Sequence, residues 1–140
     1  KGYWRSHENT KSSAWWEYAE LDQAAWTLSL KHPELDQKIA LTYSKWLDGM
    51  IDHQYGGTWL FLNGVGSPKV FHWKNGYHES ERSLVLYLLS SAKHQHQAQL
   101  YFALPKSLQH RVRPYYFRAG EVSVIEVSEG IQKMVFSGIE

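Results

Sequence analysis

The sequence predicts a mainly α-helical fold that ends in a small antiparallel β-sheet. Three observations predict it. Leu35, Ile39, Tyr43, Trp46, Leu47 and Met50 recur every three or four residues, the spacing of one face of a helix. The run Leu84-Val85-Leu86-Tyr87-Leu88-Leu89 is apolar enough for an interior helix. From Ala98 onward, short apolar and β-branched runs alternate with turn residues.

Taken in order, residues 1–12 are polar and read as a connector. Ser13 is a plausible N-cap for a first helix from about Ala14 to Lys31. Trp15, Trp16, Ala19, Ala24, Trp26, Leu28 and Leu30 put apolar groups on more than one of its sides, which predicts a buried helix. Glu20 lies one turn from both Trp16 and Ala24, a carboxylate within an apolar stripe that needs a partner or a purpose. His32-Pro33 breaks the pattern and starts a second helix, about Glu34 to Ile51, in an antiparallel hairpin with the first. Asn63-Gly64 between two apolar runs predicts a β-hairpin over about 56–72. A third helix follows from about Tyr77 to Ala92. Strands are expected at Leu100–Ala103, Pro114–Phe117, Glu121–Val127 and Gln132–Phe136. Residues 1–93 thus form the helical part with its inserted hairpin, and residues 94–140 a β extension packed on it.

Composition narrows the function. The chain has 140 residues, a formal net charge of +1 with its basic residues dispersed, and a mean hydropathy of −0.50. That argues against nucleic acid or an anionic membrane as partner, and no apolar run is long enough to span a bilayer. With no cysteine, disulfides and thiolate metal sites are excluded, which fits a cytoplasmic protein. No cofactor or metal is expected; the close pair His94 and His96 reads as solvated. Seven Trp and nine Tyr serve core packing first, and their flat faces also suit sugar rings. The chain begins at Lys1 without Met, and it reads as a piece of a longer protein.

The stretch from Phe71 to Arg82 carries the candidate chemistry. His78, Glu81 and Arg82 are spaced i, i+3 and i+4 at a helix start, so they share a face. A titratable base, a carboxylate and a cation there suit an acid/base site; they equally suit a cap with a surface salt bridge.

These residues also resemble a family. Trp15-Trp16-Glu17-Tyr18-Ala19-Glu20 resembles the Trp-Trp-x-Gln-Ala-Glu motif of the N-acylglucosamine 2-epimerase and cellobiose 2-epimerase relatives. Asp52-His53-Gln54-Tyr55-Gly56-Gly57-Thr58-Trp59 resembles that family's Asp-x-x-x-Gly-Gly-Trp segment, and Trp73-Lys74-Asn75-Gly76-Tyr77-His78 its Trp-Lys-x-x-Tyr-His motif. The three stand in the family's order over roughly Ser13 to Ser91. The resemblance implies an (α/α)6 toroid, of which residues 1–93 would be a C-terminal partial ring. It implies a sugar epimerase or isomerase that moves the C2 proton of a ring-opened reducing sugar between two His bases. By resemblance, His78 is one catalytic base, Glu20 a catalytic-site carboxylate, and Trp73 and Trp16 a wall against the sugar. Trp59, Tyr77, Glu81 and Arg82 complete the expected substrate-binding set.

The opposing base belongs, on this resemblance, to a missing N-terminal part; His7 and His72 are local candidates that match no family position. Glu81 stands where many members carry Arg, and Tyr18 stands at the Gln position. A chain without its opposing base is expected to be inactive alone, and exposed apolar helix faces would drive homo-oligomers. Two other readings stay open. One is a non-catalytic carbohydrate binder that needs only Trp16, Trp59 and Trp73. The other is a glycoside hydrolase using Glu20 and Glu81.

Overall fold

A computed structural model describes Trp4, residues 13–62 and residues 67–140. The expected turn at Asn63-Gly64 and the candidate His7 lie outside these residues. The chain divides into two compact units, residues 1–83 and residues 84–140.

In the first unit, α1 (Trp15–Leu28) and α2 (Asp36–Met50) form the expected hairpin, joined through a 3-10 turn over Pro33–Leu35. The N-cap of α1 is Ala14 rather than Ser13. Ala14 has no oxygen to cap with, so Glu17 does the work, its Oε2 accepting the Ala14 N–H at 3.0 Å. Ser13 is fully buried, and its hydroxyl donates to the Trp4 carbonyl. Trp15, Tyr18, Ala19, Trp46, Met50, Leu60 and Leu62 make one core cluster. Within it the Tyr18 ring packs on Trp46 at 5.7 Å and its hydroxyl donates to the Thr42 carbonyl at 2.7 Å.

The stretch after α2 is held by a polar turn. Asp52 Oδ1 accepts the N–H of Gln54 and of Tyr55, while Gly56 and Gly57 take the positive φ that lets the chain reverse. Thr58–Leu62 then bridges to its neighbours instead of forming a described hairpin: Thr58 pairs with Ile51, Phe61 with Ala14, and Leu60 N–H bonds the Pro68 carbonyl at 3.1 Å.

Helix α3 (Tyr77–Lys93) matches its expected span, but it is not buried all round. Arg82, Val85, Leu88 and Leu89 are buried, whereas Tyr87 is exposed. In the second unit, β1 (Ala98–Phe102), β2 (Ala119–Ser128) and β3 (Ile131–Ile139) form one antiparallel sheet in the order β1-β3-β2. Met134 pairs with Leu100 on one side and Val124 on the other, and Phe136 with Ala98 and Val122. These residues therefore share a face, since opposed partners in a ladder point the same way. Met134, Phe136 and Ala98 are fully buried there. Gly130, at φ 74°, closes the β2–β3 turn. The segment Pro114–Phe117 is a turn with Tyr115 at φ 58°, not the expected strand, and a 3-10 segment over Lys106–Arg111 was not expected.

The expectation of an (α/α)6 toroid is overturned. Among the described residues there is one helical hairpin, a third α-helix and a three-stranded antiparallel sheet, a small α/β arrangement. The reason is local. No described residue between Ile51 and Gly76 is helical, because glycines, Asp52 turn chemistry and Pro68 interrupt it, so α3 gains no hairpin partner to repeat a ring. No described helix is long and apolar enough to cross a membrane.

Candidate functional site

The site lies between α1 and the first turns of α3. Glu20 Oε1 and His78 Nδ1 are 2.8 Å apart. An ionised carboxylate can only accept, so in this bond the imidazole donates through Nδ1–H, and Nε2 is the ring nitrogen outside it. One helical turn on, Gln23 Nε2 reaches Glu81 Oε2 at 3.5 Å, and the Tyr77 hydroxyl donates to Glu81 Oε1 at 2.8 Å. That hydrogen bond to a carboxylate raises the Tyr77 phenol above its ordinary value, since ionising it would remove the donated proton.

Aromatic rings surround His78. Trp15 and Tyr77 meet it edge-on at 6.3 and 5.2 Å, and Trp16 lies tilted to it at 6.4 Å. Trp15 is buried, while Trp16 and Tyr77 are exposed. The arrangement can bind a polar molecule with an apolar face and exchange protons with it through Nε2.

Beneath the site is a buried ion pair. Asp22 Oδ2 accepts from Arg82 Nε at 2.9 Å and Nη2 at 2.5 Å, and Asp22 Oδ1 accepts from Trp4 Nε1 at 2.6 Å. The Arg82 guanidinium also lies over Trp46, Trp26 and Tyr43, at 4.1, 4.7 and 5.5 Å from their ring centroids. Burial lowers the Arg82 pKa, and the neighbouring Asp22 carboxylate opposes that shift. Beside the start of α3, Lys74 Nζ donates to Glu79 Oε1 at 2.8 Å and to Thr58 Oγ1 at 3.0 Å, and Thr58 donates to the same Glu79 oxygen at 2.5 Å.

The expected site residues are brought together only in part. His78, Glu20, Glu81, Tyr77 and Trp16 converge. Arg82 does not join the exposed face: it is 3% exposed and bonded to Asp22. Trp59 packs under Lys69, whose Nζ lies 5.0 Å from its ring centroid, and Trp73 packs on Phe71 and His72 in its own loop. Glu20 was expected within a buried stripe, yet its side chain is 47% exposed, and the buried carboxylate of α1 is Asp22. The signal for Asp22 was present. It lies on the row of Trp15, Tyr18, Ala19 and Trp26, all of them buried.

Glu20, His78 and Glu81 offer ligand atoms within 4.8 Å of one another, a set able to approach a divalent cation. Such an ion would have to displace the Glu20–His78 and Tyr77–Glu81 hydrogen bonds. His94 and His96 lie ring to ring at 5.8 Å on the surface. Comparison with family models, curated proteins and solved structures returns no match for this chain.

Proposed function

We propose that this chain carries one half of a proton-transfer site acting at C2 of a reducing sugar. On this reading it is part of a cytoplasmic sugar 2-epimerase or aldose–ketose isomerase of the N-acylglucosamine 2-epimerase kind. The observation that supports it best is the Glu20–His78 hydrogen bond with the Trp15 and Trp16 rings beside it. Glu20 holds the tautomer that leaves Nε2 basic. Nε2 takes the C2 proton of the open-chain aldose, the C–H electron pair becomes the C1–C2 double bond of an enediolate, and oxygen O1 carries the charge. Return of a proton to the other face of C2 yields the epimer; passage of the O2 proton to O1, with return of a proton to C1, yields the ketose. The opposing acid comes from elsewhere in the longer protein. Tyr77 and Glu81 hold sugar hydroxyls, and Trp16 packs on the ring.

The test is deuterium incorporation at C2, followed by NMR, for a panel of reducing sugars in deuterated water with the longer protein and its His78→Ala variant. Exchange that disappears in the variant supports the reading. Binding without exchange, seen as sugar-dependent Trp quenching, moves the assignment to a carbohydrate-binding protein. Release of a new reducing end moves it to a hydrolase.

A further inference from the structure

We infer that Asp22 and Arg82 are positioning residues for the Glu20–His78 pair, holding α1 and α3 in the one register at which that hydrogen bond forms. Only the catalytic consequence rests on the sugar reading; the positioning itself does not.

The argument starts from three cross-links between α1 and α3. Glu20 meets His78 and Gln23 meets Glu81, each across 58 positions, and Asp22 meets Arg82 across 60. Equal offsets at i and i+3 on both helices mean that the two run in the same direction here, matched turn for turn. The Glu20–His78 link lies toward solvent, where water competes for the same donors and acceptors, and the Gln23–Glu81 link is long at 3.5 Å, so they hold little by themselves.

The third link is different. Arg82 is 3% exposed and Asp22 is fully buried. Both Asp22 oxygens are engaged, one by two nitrogens of Arg82 and the other by Trp4 Nε1. The guanidinium is walled by Trp46 and Trp26, which leaves it no second position. A buried pair joined by a two-nitrogen fork tolerates little slip, because any shift strands a charge out of water.

His78 stands one turn before Arg82 on the same face of α3. Sliding α3 by one residue would move His78 by about 1.5 Å along the axis and turn it by about 100°. Either displacement takes Nδ1 out of reach of Glu20 Oε1. The buried pair therefore sets which imidazole nitrogen carries the proton, although neither of its members touches the imidazole.

The test is 15N NMR of the His78 imidazole in the 140-residue chain, with Glu20→Gln, Asp22→Asn, Arg82→Lys and Leu60→Ala variants. Wild type is expected to show a hydrogen-bonded Nδ1–H, with the Nδ1–H tautomer of the neutral ring favoured. Glu20→Gln removes this signature directly. A folded Asp22→Asn variant is expected to lose it as well, falling to the tautomer mixture of free imidazole. Arg82→Lys, which keeps the charge and loses the fork, is expected to lie between. Leu60→Ala, which truncates the core cluster shared with Trp15 and Trp46 but leaves every member of the pair in place, should keep the signature.

An unchanged signature in folded Asp22→Asn or Arg82→Lys overturns the inference, and so does equal loss in Leu60→Ala. Should Asp22→Asn fail to fold, Arg82→Lys decides. Failure of the sugar reading would appear separately, as absent C2 exchange in the wild-type longer protein, with this NMR result unaffected.

Discussion

The guanidinium of Arg82 lies 4.1 Å from the ring centroid of Trp46 while its Nε donates to Asp22 at 2.9 Å, so one buried cation joins α1, α2 and α3. Removing one partner leaves the other charged and dry. Asp22→Asn or Arg82→Met is expected to cost about 3–5 kcal/mol, read as a lower urea midpoint. The double variant Asp22→Leu with Arg82→Met is expected to recover most of the loss, because no uncompensated charge remains. Additive losses in the double variant would show that the pair is not coupled.

Acid stability should depend on Glu79. Burial raises its pKa, but hydrogen bonds from Lys74 and Thr58 outweigh burial and bring it below the ordinary 4.5. A group depressed in the folded state stabilises above its unfolded pKa and loses that contribution as pH falls through the folded value. Wild type is therefore expected to lose stability below about pH 4.5, with Glu79→Gln flatter over that range in pH-dependent urea melts. The flattening is partial, since Asp52 is also depressed, by its bond to Lys69. Parallel acid limbs would count against this account.

Tyr18 governs the alkaline side. Burial raises its phenol well above the ordinary 10.0, with Asp22 adding to the shift. A raised folded pKa means stability that is full below pH 10 and declines as pH rises further. Tyr18→Phe should cost about 0.5–1.5 kcal/mol at pH 7 for its lost bond to Thr42. Above pH 10 its stability should fall less steeply than that of wild type, as followed by circular dichroism.

On the proposed sugar reading, His78→Ala is expected to slow C2 exchange about 10²–10⁴-fold, the range for loss of one general base. Glu20→Gln should slow it less, because the base remains and only its favoured tautomer is lost. Rates of exchange measured side by side would expose a wrong order.

Leu41 and Leu47 of α2 are 56% and 39% exposed. Self-association through α2 predicts that Leu41→Glu with Leu47→Glu lowers the apparent mass in light scattering. A wild-type monomer would remove the premise.

Much of this was legible one element at a time. Three helices were expected from periodicity and caps, and each formed within a few residues of its expected span. The β2–β3 hairpin announced itself through Gly130 and alternating β-branched residues. Spacing put His78, Glu81 and Arg82 on one face of α3, and of these His78 and Glu81 meet α1 at Glu20 and Gln23 while Arg82 turns inward to Asp22. What failed was what depends on distant parts of the chain. The strand expected at Pro114–Phe117 is a turn, since its apolar side chains say nothing about whether a partner strand passes beside it. The toroid failed because motif order does not supply the helices a ring requires.

The two carboxylates of α1 separate the sequence's share from the structure's. Helical spacing and side-chain chemistry, read from the sequence alone, determined that a carboxylate would sit within the apolar surface of α1. Spacing offered both Glu20, one turn from Trp16 and Ala24, and Asp22, on the row of Trp15 and Trp26; the tertiary structure decided for Asp22. A carboxylate is stable in a core only where a cation meets it, and that cation, Arg82, arrives from 60 positions along the chain on another helix. Periodicity is a short-range property, whereas burial of charge is settled by what folds against it.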